Sequence, residues 1–276
     1  MSFPIFEQRG LSLRDKILRI RWLFLLLICA IASIGFVMLY SAAGGSMQPW
    51  ASRQLTRFVV AFGILLVVAM TDIRLWLRLA YPTYLVALVL LVVVDVAGFI
   101  GMGAQRWISI MGFQLQPSEF MKIALLMAMA RYFHQATLDD MGRITFLLPP
   151  LLLAVIPTAL VLAQPNLGTA LILLMLAGTL FWMAGARWWK FAGIIAAAIA
   201  AVPVIWHFMH DYQQRRVLTF LNPEADPLGA GYHIMQSKIA LGAGGLSGKG
   251  FLQGTQGMLD FLPEKQNDFI FTLFAE

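Results

Sequence analysis

The sequence has one cysteine and very little charge. A single thiol, Cys29, excludes an intrachain disulfide and any cysteine metal cluster. Asp, Glu, Lys and Arg supply only 12% of the 276 residues, about half the share in a soluble domain. A soluble fold of this length needs more polar surface than that, so a soluble enzyme, a disordered chain and a collagen-like fibre are excluded. No Lys/Arg-rich run with interleaved aromatics is present, which leaves no case for nucleic acid as a partner. The apolar runs are continuous rather than alternating, which argues against a transmembrane barrel.

What is abundant is apolar surface. Hydrophobic residues make up 60% of the chain and mean hydropathy is +0.77. The fold class this implies is all-α, a polytopic integral membrane helix bundle forming a single membrane domain. The basic tail, residues 1–21, precedes a first apolar run from Trp22 to Tyr40, longer than the h-region of a cleavable signal peptide. Further candidate spans are Leu55–Met70, Leu79–Val96, Phe120–Tyr132, Phe146–Ala163, Gly168–Met183 and Phe191–Met209, so seven transmembrane helices occupy 22–209. The shorter runs must borrow flanking residues to cross.

Basic residues orient the bundle. With the N-terminus inside, the inner segments hold eleven: Arg9, Arg14, Lys16, Arg19, Arg21, Arg74, Arg78, Arg131, Arg143, Arg187 and Lys190. The outer segments hold three, Arg53, Arg57 and Arg106. This positive-inside bias places the N-terminus in the cytoplasm. Residues 210–267 then form a large extracytoplasmic loop, rich enough in Phe, Leu, Tyr and Ile to be folded. An eighth span begins at 268 and reaches Glu276 after about two turns, so a longer chain with further spans is expected.

Several residues could carry chemistry. Glu119 and Lys122, spaced i,i+3 in the fourth span, are either functional intramembrane charges or a structural pair. Gln105-Arg106-Trp107 offers a planar fork for phosphate beside a stacking face, or a solvated Arg beside an aromatic-belt residue. The run Leu241–Gly250 with Lys249 is an anion cradle or a hinge. It is no Walker loop, because Ala243 replaces the first required Gly and Gly250 the Ser/Thr. Asp268 sits at the outer mouth of the eighth span, where partial burial would strengthen it as a base; it could equally cap the helix, and position alone favours the cap. His207 and His210 lack a third ligand for a metal.

Taken together, Gln116-Pro117-Ser118-Glu119 with Lys122, Gln164-Pro165-Asn166-Leu167-Gly168-Thr169, Arg216-Val217, Asn222-Pro223, Asp226-Pro227-Leu228-Gly229, Gly231-Tyr232, Gln236-Ser237, Gly248-Lys249-Gly250, Phe261-Leu262-Pro263-Glu264 and Asp268-Phe269-Ile270-Phe271 resemble the SEDS family (shape, elongation, division and sporulation proteins) and within it the rod-shape member. The resemblance implies ten spans, of which this chain holds fewer. It implies polymerisation of peptidoglycan glycan strands from lipid II, alongside a class B penicillin-binding protein and the elongation machinery, in the bacterial inner membrane. It makes Asp268 the expected catalytic base. It matches Glu119 and Lys122 to the family's charged pair, and Arg106 and Trp107 to its second outer loop. The reaction expected is an inverting glycosyl transfer, with Arg106, Lys122, Lys238 and Lys249 as cations for a diphosphate leaving group and a divalent cation (Mg or Mn) able to assist. A lipid II flippase is the rival reading, since an intramembrane ion pair also suits a transporter.

Overall fold

The computed structural model describes residues 13–97, 99–101, 104–110, 113–137, 139–164, 166–209, 211–222, 224, 230–245, 247–254 and 266–276. Arg9, Pro165, His210, Pro223, Asp226, Pro227, Leu228, Gly229, Leu246, Asp260, Phe261, Leu262, Pro263 and Glu264 lie outside the described residues.

Contacts group the chain into two compact units, Met1–Thr71 with Val202–Glu276, and Asp72–Ala201. The first unit opens with a short helix α1 (Leu13–Arg19), followed by α2 (Trp22–Ala42) and α3 (Trp50–Met70). Phe36 and Phe58 meet edge-on at 5.6 Å where α2 crosses α3.

The second unit starts at α4 (Ile73–Ala97), where the Asp72 carboxylate accepts the Arg74 N–H at 2.9 Å. Three short strands follow, β1 (Phe99–Gly101), β2 (Ala104–Ile110) and β3 (Phe113–Leu115), then α5 (Pro117–Phe133), α6 (Ile144–Ala163), α7 (Leu167–Met183) and α8 (Trp188–Phe208), which runs on into the first unit. The first unit is completed by α9 (Asp211–Leu221), α10 (Ala230–Gly244) and α11 (Ile270–Ala275).

All seven expected spans are helices. Four of the helices, at Trp22–Ala42, Trp50–Met70, Ile73–Asp95 and Ile144–Ala163, are long and apolar enough to cross a membrane by length and composition. Both α5 and α7 have 17 residues, somewhat short of a full crossing. The helical class stands with one addition, in the segment between α4 and α5. It holds an antiparallel sheet in the order β1-β2-β3, with Phe99 opposite Trp107 and Ile108 opposite Leu115.

The core of the second unit lies where α4, α5, α6 and α7 meet, around Leu91, Met121, Leu125, Met129, Val161 and Leu173. Prolines shape its polar contacts. A proline inside a helix leaves the carbonyl four residues earlier without its N–H partner. Pro82 in α4 releases Arg78, and Pro150 and Pro157 in α6 release Phe146 and Leu153. These three carbonyls are each taken by a side chain from a neighbouring helix. Arg131 Nη1 donates to Arg78 O at 3.1 Å, the Tyr132 hydroxyl to Phe146 O at 2.9 Å and the Tyr84 hydroxyl to Leu153 O at 3.0 Å. In hydrocarbon an unpaired carbonyl is costly, so these bonds tie α4, α5 and α6 together where their own ladders are broken.

Arg131→Gln is expected to cost about 1.5–3 kcal/mol, the usual value of a charge-assisted hydrogen bond. In a Pro82→Ala background the new backbone N–H serves Arg78 O, and the penalty should shrink. Thermal unfolding of the four proteins in detergent reads that coupling; additive losses would mean that Arg131 does not answer Pro82.

The segment between α5 and α6 is held by Asp140, whose carboxylate accepts the Thr137 hydroxyl at 2.6 Å and the Thr137 N–H at 3.0 Å. The hydroxyl bond, then the backbone bond, hold the Asp140 carboxyl below its ordinary value, with Arg143 adding to the effect. A lowered folded pKa stabilises at high pH. The contribution is complete above the ordinary aspartate value of about 3.9 and is lost as pH falls through the folded value. The stability gap between wild type and Asp140→Asn should therefore be flat above pH ~4 and close below it.

Candidate functional site

Asp268 lies in the turn that leads into α11. Phe269 occupies the N-cap position and no side chain caps the helix. The cap reading is therefore corrected: Asp268 stands one residue too early. The expected partial burial is corrected as well. Asp268 is exposed, and among the described residues its carboxylate makes no hydrogen bond or ion pair. An exposed carboxylate with no structural task is free to accept a proton from an incoming hydroxyl.

Its flanking residues line a pocket of about 430 Å³. Gln266, Asn267 and Ile270 form one wall, and Arg53, Arg57, Trp50 and Phe58 of α3 form another. Gly35 of α2 also lines it, and a Cβ there would meet no atom within 4 Å. Arg53 and Arg57 are i,i+4 neighbours on one helix face, both exposed and unpaired among the described residues. They make this pocket a place for an anion. Sequence reasoning used these arginines only to orient the chain. The signal was there: two of the three outer basic residues sit one turn apart, against an otherwise inward bias.

The remaining cations of the first unit divide. Lys238 on α10 is exposed. Lys249 is already committed: its Nζ meets the Glu276 carboxylate at 3.0 Å, and that side chain has no exposure at all. The glycine-rich segment does cradle an anion, but the anion is the chain's own. A Cβ on Gly248, at φ +73°, would stand 3.4 Å from the Glu276 backbone oxygen, and one on Gly254 would stand 3.0 Å from Oε2 of Glu276. α10 and α11 also touch directly. The Ser237 and Thr272 hydroxyls are 2.7 Å apart, and a Cβ on Gly244 would overlap the Ala275 carbonyl. Lys249 is thus corrected from a substrate cation to the partner of Glu276, a buried acid that sequence reasoning did not weigh.

The other expected residues lie in the second unit. Lys122 and Glu119 are paired at 2.7 Å on the first turns of α5, with Glu119 56% and Lys122 23% exposed. Pro117 opens that helix, where its missing N–H costs nothing. Ser118, between Pro117 and Glu119, is 1% exposed, and its hydroxyl has no hydrogen-bond partner among the described residues. A buried orphan hydroxyl is a cost that a fold tolerates for a reason. Its only sequence signal was its place beside Glu119. Trp107 is half-buried on β2; Arg106 is on the same strand, and its side chain lies outside the described structure. Gln164 and Asn166 have structural tasks. Gln164 Nε2 donates to Leu91 O at 3.1 Å, and the Asn166 side chain accepts the Thr169 N–H that starts α7. Among the described residues no three His, Cys, Asp or Glu side chains cluster as metal ligands. The divalent cation expected above therefore has no three-ligand protein site there.

Comparison with known proteins gives the family. The family described as "Cell cycle protein" (FtsW/RodA/SpoVE) matches residues 21–276. The peptidoglycan glycosyltransferase MrdB of Escherichia coli K12 is 41% identical over 257 residues, which cover 91% of this chain and 68% of that protein. A probable peptidoglycan glycosyltransferase FtsW of Trichlorobacter lovleyi is 39% identical, with the same coverage of 91% and 68%. A chain in a structure on the coordination of polymerization and crosslinking by a peptidoglycan synthase complex superposes with a TM-score of 0.76 at 32% identity, covering 94% of this chain and 71% of that one. The rod shape determining protein RodA of Thermus thermophilus gives a TM-score of 0.58 at 28% identity, covering 88% and 83%.

Proposed function

Because this chain belongs to the FtsW/RodA/SpoVE family of membrane proteins, we propose that it is a peptidoglycan glycosyltransferase that polymerises lipid II into glycan strands during elongation and so helps set cell shape. The observation that carries this reading is an unspent carboxylate, Asp268, whose neighbours Gln266, Asn267 and Ile270 share a pocket with an unspent pair of arginines, Arg53 and Arg57. Asp268 accepts the proton of an acceptor sugar hydroxyl. The hydroxyl oxygen bonds to the anomeric carbon of a lipid-linked donor from the face opposite the leaving group, which inverts that centre. The bond from that carbon to the diphosphate oxygen breaks, and the polyprenyl diphosphate departs with the electron pair. Arg53 and Arg57 receive the developing negative charge, a form of stabilisation that needs no proton. Lys238 is a further cation of the same unit. Glu119, Lys122, Arg106 and Trp107 are assigned to substrate binding on the strength of the family motif they belong to. No step is routed through a metal.

The setting proposed is the bacterial inner membrane, with the N-terminus cytoplasmic and Asp268 at the outer face. The partner proposed is a class B penicillin-binding protein, which would crosslink the strands. A relative's structure in a complex of polymerization and crosslinking supports that pairing.

The test is glycan formation from fluorescent lipid II by the full-length protein with its transpeptidase partner, run beside a vesicle assay for lipid II translocation. Polymer without translocation is the expected result. Translocation without polymer would replace this reading with the flippase. Within the polymerisation assay, Arg53→Gln and Arg57→Gln should each lower kcat/KM about tenfold, the worth of one charge-assisted hydrogen bond. Unchanged kcat/KM in both would remove the arginines from the site.

A further inference from the structure

We propose that the first unit holds one anionic phospholipid at its N-terminal edge, with the phosphodiester on Arg19 and Arg21 and an acyl chain along the groove between α2 and α3. That groove has a volume of about 580 Å³. Its two ends differ in chemistry. Lys16, Arg19 and Arg21 line one end, and Phe24, Ile64, Leu65 and Val68 line the length, widened where Ala61 and Ala69 present only methyl groups. Among the described residues no carboxylate lines it.

The basic end is built rather than incidental. Lys16 Nζ donates to Met70 O at 3.1 Å and so holds α1 across the end of α3. This contact also sets a positive charge against the negative end of that helix. Trp22 Nε1 donates to Ile17 O at 3.2 Å and fixes the turn from α1 into α2. The side chains of Arg19 and Arg21 are left exposed at the groove mouth with no ion pair or hydrogen bond among the described residues. Two unpaired guanidiniums above an apolar channel match a diester phosphate above a hydrocarbon chain.

The length agrees. From Met70 back to Ala61 the groove follows nine residues of α3, about 14 Å at the helical rise. One leaflet is half of a hydrocarbon core of about 30 Å. A soluble phosphate ester would fill the basic end and leave that channel empty. A zwitterionic lipid would fill the channel and set its own cation against the arginines. An anionic diacyl lipid satisfies both ends. The inference does not depend on the proposed enzymatic activity.

The experiment uses the full-length protein in phosphatidylcholine nanodiscs with rising phosphatidylglycerol, then native mass spectrometry of the released protein. One phosphatidylglycerol retained per chain, saturably, is expected. Arg19→Gln with Arg21→Gln should weaken retention roughly 30-fold, at about fivefold per basic residue. Ala61→Phe keeps every charge, and so the insertion signal, but blocks the channel; it should also lose the lipid. Glycerophosphoglycerol, the headgroup without chains, should not compete. Equal retention of phosphatidylcholine, retention by both variants, or full competition by the free headgroup would each overturn the proposal.

Discussion

Replacing Asp268 by asparagine should lower the rate of glycan polymerisation by about 100–10,000-fold, the range expected for loss of a general base. It should do so without harm to the fold. Asp268 is exposed, caps nothing and pairs with nothing among the described residues, so the neutral isostere breaks no structural bond. Surface changes of that kind stay within about 0.5 kcal/mol. The combination is what identifies a base: unaltered thermal unfolding, unaltered assembly with the transpeptidase partner, and a collapsed rate. A mutant that polymerises within a few-fold of wild type would take Asp268 out of the reaction. A mutant that unfolds early would show that the carboxylate has a structural partner.

The largest expected loss of stability comes from Lys249→Met. It removes the counter-charge of Glu276, whose side chain is fully buried beside Gly254. Breaking a buried pair from one side costs about 3–5 kcal/mol. Glu276→Gln should be milder, because Lys249 is 28% exposed and its ammonium can turn toward solvent. Adding Glu276→Gln to Lys249→Met should recover much of the loss. Thermal unfolding of the full-length protein in detergent measures all three. Two single mutants of equal, small effect would mean that the pair contributes little to the native state.

The helical architecture was legible because long apolar runs leave few alternatives in lipid. Boundaries were less so. α4 begins at Ile73 and not at Leu79, and α5 begins at Pro117 and not at Phe120, since the first turns carry Arg74, Trp76, Arg78, Ser118 and Glu119, which do not read as membrane. The small sheet was hidden for a different reason. Its strands are three to seven residues long, and Trp107-Ile108-Ser109-Ile110 shows little alternation in so apolar a chain. Within the site, residue identity was legible and environment was not. The Glu119–Lys122 pair follows from spacing alone. The exposure of Asp268 and the pairing of Lys249 with Glu276 depend on where distant segments meet, 27 residues apart in the second case. Arg53 and Arg57 needed the turn before α11 to be set beside them before they meant more than orientation.

The proline-released carbonyls of α4 and α6 have an evolutionary consequence. Tyr84 and Tyr132 each make their hydrogen bond because a proline on a neighbouring helix created the acceptor, and Arg131 makes one of its two that way, the other going to Leu77 O. A lineage that lost the proline would find the donor redundant, and one that lost the donor first would carry a bare carbonyl in the membrane. Neutral drift is therefore one-way: the proline must go before its donor. Relatives should show both members of Pro82–Arg131, Pro150–Tyr132 and Pro157–Tyr84, neither member, or the donor alone, and seldom the proline by itself.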